Sequence, residues 1–141
     1  SYFRERAPGF QILEPMPNLE DANLGYEAVL DLLARHPDMR GLYLAGGGVE
    51  GICRALRDSS LPPGFVTICM ALTPTSVAAL QDDVIQVVLS HPFRPLAEAA
   101  IEALVTAAAR PTDPGLLQVL LPFEIVTAEN LPDFPALPPD R

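Results

Sequence analysis

Gly46, Gly48 and Gly51 stand in the spacing G-x-G-x-x-G within GLYLAGGGVEG (41–51), after an apolar run and before a helical pattern. Such a spacing can seat a pyrophosphate on a helix N-terminus. A dinucleotide site also needs a carboxylate about 20 residues further on, at the end of the next strand, to hold the ribose. Here that strand, FVTICM (65–70), runs into Ala71-Leu72-Thr73 with no acid. Glu50, in the first turn of the following helix, repels a phosphate where the helix dipole should attract one. Lys is absent, and so is the Walker pattern. The glycines therefore read as a tight strand-to-helix turn with close backbone approach, whose exposed amides at Gly46, Gly47 and Gly48 are free to meet a ligand. An uncharged, hydroxyl-rich molecule suits that loop, because it does not clash with Glu50.

The other chemistry-bearing residues give no catalytic set. Cys53 falls within a helical pattern and Cys69 within a strand, which makes them buried apolar thiols rather than nucleophiles. Their spacing fits no metal motif. There is no G-x-S-x-G elbow. Asp82-Asp83 lies in the turn entering a strand, the wrong edge for a strand-end acid. No catalytic residue, cofactor or metal ligand emerges, and a non-enzyme is expected. His91, at a strand end before Pro92, can donate and accept a hydrogen bond. Thr73 reads as the N-cap of a helix opened by Pro74, and Asn23 as a cap near the start of an earlier helix. His36, before Pro37, closes that helix.

These residues need a frame to position them. With 141 residues and 49% hydrophobic composition, one domain with a sizeable core is implied. The formal charge is −9 and all nine cations are Arg, which excludes a phosphate-binding surface and docking on an anionic membrane. No apolar run reaches the ~20 residues that span a bilayer. The opening SYFRERAPGF reads as the last turn of a helix, then Pro8-Gly9, then a strand, so the chain reads as a piece of something longer.

Hydrophobic periodicity predicts strands at 10–14, 41–45, 65–70 and 84–90, and a strand-like run at 116–126 broken by Pro122. Helices are predicted at 22–36, 49–58, 74–81 and 93–110. The run GLYLA lacks polar alternation, as strands covered on both faces do, and FVTICM reads as a further buried strand. Alternating strands and helices imply an α/β fold, doubly wound, with a mainly parallel sheet, right-handed crossovers and helices on both faces. Ligands of such sheets sit beyond the C-terminal strand ends. Segments 15–23, 45–50, 70–75 and 90–93 should line that edge. Residues 132–141 form a Pro-rich tail.

The order of these pieces resembles a known family. LGYEAVLDLLARHPDMRGLYLAGGGVEGICRAL, FVTICMALTP, VVLSHPFRPLAEAAIEAL and LLPFEIVTAENLP together resemble the effector-binding domain of lactose-repressor-type transcription regulators. That family shares the fold of periplasmic sugar-binding proteins. The resemblance runs from about residue 10 to 131. It implies two similar lobes with a sugar or related metabolite between them, a homodimer, a cytoplasmic location, and contact with DNA only through a separate headpiece. This chain would be chiefly the second lobe, spanning 1–131, with helix 93–110 crossing to the first. The apolar stripe of that helix should then lack its usual partner and be covered by self-association or refolded packing.

Carried over residue by residue, the resemblance is mixed. Where the family's first loop bears an Asn-Asp pair that grips sugar hydroxyls, this chain has Gly46 and Gly47. Where the next loop bears an acid, it has Ala71, with Thr73 nearby. Where Gln precedes the last helix, it has His91. The expected ligand-facing set is thus Asn23, Gly46, Gly47, Gly48, Glu50, Ala71, Thr73 and His91. A transport-type sugar-binding protein of the same fold is the alternative reading, and a dinucleotide-dependent enzyme a third.

Overall fold

Asp21 starts the first full helix. Its carboxylate accepts from the amides of Asn23 and Leu24 at 2.8 and 2.9 Å, satisfying two of the four orphan donors of a helix start. A computed structural model describes residues 5–109 and 118–131 of the chain. Helix α1 runs Ala22–Arg35 and ends at His36, whose amide donates to Leu32 O. Strand β1 follows at Gly41–Leu44, helix α2 at Val49–Asp58 and strand β2 at Val66–Met70. Helix α3 spans Pro74–Gln81, strand β3 Val87–Ser90 and helix α4 Phe93–Ala109. A short strand β4, Glu124–Val126, and a 3-10 turn at Ala128–Asn130 complete the described order.

The sheet has the order β1-β2-β3-β4. The first three strands are parallel, with Leu44 opposite Cys69 and Cys69 opposite Val88. β4 returns antiparallel to β3, placing Glu124 opposite Ser90. This is the α/β class with a mostly parallel sheet flanked by helices, as predicted. The core gathers Leu44, Cys69, Val88 and Val126 from one sheet face with Val29, Ile52, Leu56 and Leu80 from the helices.

Four details correct the sequence reading. Residues 10–14 are not a strand. Caught between the Pro8-Gly9 turn and Pro15-x-Pro17, they lie near α1 and help line a cleft of about 360 Å³ with Leu32, Arg35 and His36. β1 and β2 are not covered on both faces: Tyr43 and Val66, which point away from the core, are 55% and 42% exposed. Among the described residues β1 pairs only with β2, and α2 packs on the face opposite those two side chains. The closing strand is confined to three residues after Pro122, which cannot donate to a ladder. Asp21, not Asn23, caps α1. The linker at 110–115 and the Pro-rich tail at 132–141 lie outside the described residues.

Helix α4 carries no buried residue, and Phe93, Leu96, Ile101, Leu104 and Val105 stand exposed along it. The stripe expected to be covered by self-association or refolded packing stands open within this chain over the described residues.

The glycines divide by physical role. A Cβ on Gly51 would lie 1.6 Å from Ala22 O, so α1 and α2 meet there backbone to backbone. Gly48 has φ +74° and is the N-cap of α2. Gly46 is unconstrained, because a Cβ there would find only Glu20 Oε1, at 3.9 Å. Gly51→Ala is therefore expected to cost about 3 kcal/mol or more by overpacking. Gly46→Ala should stay within about 0.5 kcal/mol of wild type. Urea midpoints of the two variants check this.

Cys53 and Cys69 are free and buried. Burial pushes both thiols up, Cys69 to about 11, with Cys53 nearby adding to its shift. Since the folded thiol holds its proton more tightly than the unfolded one, this contribution to stability is intact below pH 9 and fades as pH rises toward 11. Alkaline denaturation should show that loss, and iodoacetamide should label both cysteines only on unfolding.

Candidate functional site

The heads of the parallel strands carry the polar loops. After β1 the chain turns through Gly46 and Gly47 into α2. The segment before α1 comes to meet this turn: Asn18 Nδ2 donates to Gly47 O at 2.8 Å, and Asn18 Oδ1 accepts from the Glu20 amide at 3.2 Å. Between these contacts Leu19 and Glu20 both adopt left-handed backbone, with φ of 50° and 60°. Residues without glycine's freedom pay roughly 1–3 kcal/mol each for such conformations unless their surroundings hold them. Asn18 is the side chain that holds them.

The next junction joins α2 to α3. Glu50 Oε1 accepts from Thr75 Oγ1 at 3.1 Å. Thr73 caps α3 in a reciprocal box: its hydroxyl accepts from the Ser76 amide at 3.2 Å, and its own amide donates to Ser76 Oγ at 2.8 Å. Ser76 is fully buried and its hydroxyl also reaches Ala71 O at 3.1 Å. Ala71, just past β2, sits at φ 69°, with its amide donating to Leu89 O at 3.0 Å. The loop after β2 is thereby tied to both α3 and β3.

The third junction follows β3. Leu72, Ser90, His91, Phe93, Arg94 and Glu124 surround an open cleft of about 280 Å³. His91 is exposed at its wall. The segments predicted to line one edge, 15–23, 45–50, 70–75 and 90–93, are therefore linked in series: Asn18 to Gly47, Glu50 to Thr75, Ala71 to Leu89, and Leu72 beside His91.

Individual residues fall out unequally. Gly46, Glu50, Thr73 and His91 are exposed on this rim, and Gly47 and Ala71 are half-buried. Asn23 is exposed in the first turn of α1. Gly48 does not offer the exposed amide foreseen for it; it is buried, and a Cβ would meet Asn18 Nδ2 at 2.6 Å and Asp21 O at 2.8 Å. Asn18, Glu20, Arg94 and Glu124 escaped the sequence reading. Asp21 directly before the periodic run was a usable cap signal. Glu124 had none, since only the antiparallel return of β4 brings it to the head of β3.

Among the described residues no cluster of three or more His, Cys, Asp or Glu is arranged to hold a metal. Glu50 points its charge into Thr75 at the start of α2, where a phosphate on the glycine turn would have to lie. The rim is a line of amides, hydroxyls and carboxylates, suited to a guest held by hydrogen bonds. Removing the Asn18 clasp is expected to cost about 1–2 kcal/mol, for one part-buried and one exposed hydrogen bond. Asn18→Ala should lower the thermal midpoint accordingly, and Asn18→Asp should not restore the bond to Gly47 O.

Comparison with known proteins agrees with this fold. Among curated sequences none matches the chain. Several solved structures share its fold. One is a solute binding protein of an ABC transporter from Burkholderia graminis, in complex with D-arabinose, with a TM-score of 0.77 and 18% identity over 92% of this chain and 46% of its own. Another is a glucose-galactose binding protein from Geobacillus stearothermophilus, with a TM-score of 0.76 and 14% identity over 91% of this chain and 45% of its own. A third, from Agrobacterium vitis with bound D-fucose, has a TM-score of 0.75 and 16% identity over 92% and 44%. The chain spans less than half the length of each. The sequence profile of the periplasmic binding protein domain matches residues 1–111, and this chain belongs to that family.

Proposed function

We propose that the chain is one lobe of a two-lobed, non-catalytic binding protein that takes a sugar or sugar derivative at the heads of its parallel strands. The observation that carries this reading is the serial linkage of four loops along one sheet edge, where the fold class places ligands. Gly46, Gly47, Glu50, Ala71, Thr73 and His91 are the proposed contacts, with Asn23 in the first turn of α1 and Gly48 shaping the glycine turn. Solute-binding proteins of transporters recur among the matched structures, and their bound sugars support the ligand class. Transport-type binding is therefore the leading assignment, with the ligand met outside the cytoplasm.

The exposed stripe of α4 fits the same picture. A second lobe would cover Leu96, Ile101 and Leu104 and close over the ligand by a hinge at the strand heads.

The stretches from LGYEAVLDLLARHPDMRG onward favour a second reading, the effector-binding lobe of a dimeric, cytoplasmic transcription regulator. The residues encoded upstream of Ser1 separate the two: a secretion signal supports transport, a helix-turn-helix supports regulation. Titration calorimetry of the full-length protein against aldoses, ketoses and sugar acids tests what both share. Binding of at least one sugar, weakened about ten-fold or more by His91→Ala, is the expected result. Heats indistinguishable from dilution across the panel would remove the proposal.

A further inference from the structure

The side chain that dominates the first part of the rim belongs to neither Gly46 nor Gly47. It is Glu20. A Cβ on Gly47 would lie 2.9 Å from Glu20 Cβ and 3.2 Å from its Cγ, so Glu20 already fills the space a side chain at 47 would need. Its Oε1 reaches over Gly46, 3.9 Å from where a Cβ there would stand. Two successive left-handed residues, Leu19 and Glu20, and the Asn18 clasp hold it in that position.

Placed there, the carboxylate has no hydrogen-bond or ion-pair partner among the described residues, and neither does the Gly46 amide. An acceptor with a formal charge thus stands beside an exposed backbone donor. A carboxylate accepts only, while a hydroxyl both donates and accepts. One hydroxyl of a vicinal pair can donate to Glu20 while its neighbour accepts from Gly46. A carboxylated guest meets like charge at the same spot, and Glu50 of α2 and Thr75 of α3 are hydrogen-bonded to each other.

Resting on the sugar-binding reading above, we propose that Glu20 is the specificity-determining residue of this rim: it selects neutral polyhydroxy guests over their sugar-acid counterparts. The loop after β1 is side-chain-free because Glu20 serves its place from the neighbouring segment.

The test is calorimetry on the full-length protein with D-arabinose, D-fucose, D-allose and D-galactose against D-glucuronate and D-galacturonate. Wild type should bind a neutral sugar and prefer it over both uronates. Glu20→Gln should weaken the neutral sugar about ten-fold, because a charge-assisted bond is lost, and should narrow the preference over uronates. Glu20→Asp, which keeps the charge, should retain that preference, a result that a purely structural role would not give. Unchanged affinity and preference in Glu20→Gln would overturn this assignment and leave the sugar-binding reading standing, as would a wild type that prefers uronates. Absence of binding by wild type to every compound would overturn both.

Discussion

The described structure depends on the backbone contact between Gly51 of α2 and Ala22 of α1. No side chain fits between them, so the two helices approach at the limit set by main-chain atoms. That approach brings the segment before α1 against the turn after β1. Gly25 reinforces it, since a Cβ there would lie 3.0 Å from Gly48 O. Asn18 can then reach Gly47 O, and the first two loops become one unit. A bulkier residue at 51 would push α1 outward and carry the Asn18–Glu20 turn away from the strand heads. The G-x-G-x-x-G spacing is in this protein a packing device whose three glycines answer three different demands: an open turn, a left-handed cap and a helix crossing.

Local physics made much of this legible in the sequence. The bounds of α2 and α3 follow from Gly48 before Val49 and from the Thr73-Pro74 cap signal, and both helices begin and end where periodicity placed them. The parallel order of β1, β2 and β3 follows from alternation with helices. What could not be read depended on contacts distant in the chain. FQILE has strand composition, yet two flanking proline turns set it against α1 rather than in the sheet. GLYLA looked doubly covered because Tyr43 is apolar enough to pass for core, while its actual surroundings depend on which strand lies at the edge.

The site was half legible for the same reason. Thr73 and His91 sit at strand-to-helix junctions, and topology alone sends those to one edge. Glu20 lay inside a segment correctly assigned to the rim, but nothing in PNLEDAN announces two left-handed residues in succession. Non-glycine residues adopt that backbone rarely, and no local preference of Leu or Glu favours it. Its cause is the Asn18 clasp on a loop 29 residues away. Likewise Glu124 reaches the head of β3 only because β4 runs antiparallel.

The surviving polar groups define what such a rim can hold. It offers carboxylates at Glu20, Glu50 and Glu124, hydroxyls at Thr73 and Thr75, and main-chain donors at the glycine turn, within a chain of net charge −9. The central claim is that a neutral polyhydroxy guest sits across these strand heads. Amide chemical-shift mapping of the isotope-labelled full-length protein during titration with D-arabinose addresses it most directly. Saturable shifts at Gly46, Gly47, Thr73 and His91, with the far ends of the strands unmoved, are the predicted result. Shifts confined to the opposite edge of the sheet, around Gly41 and Val66, would contradict it.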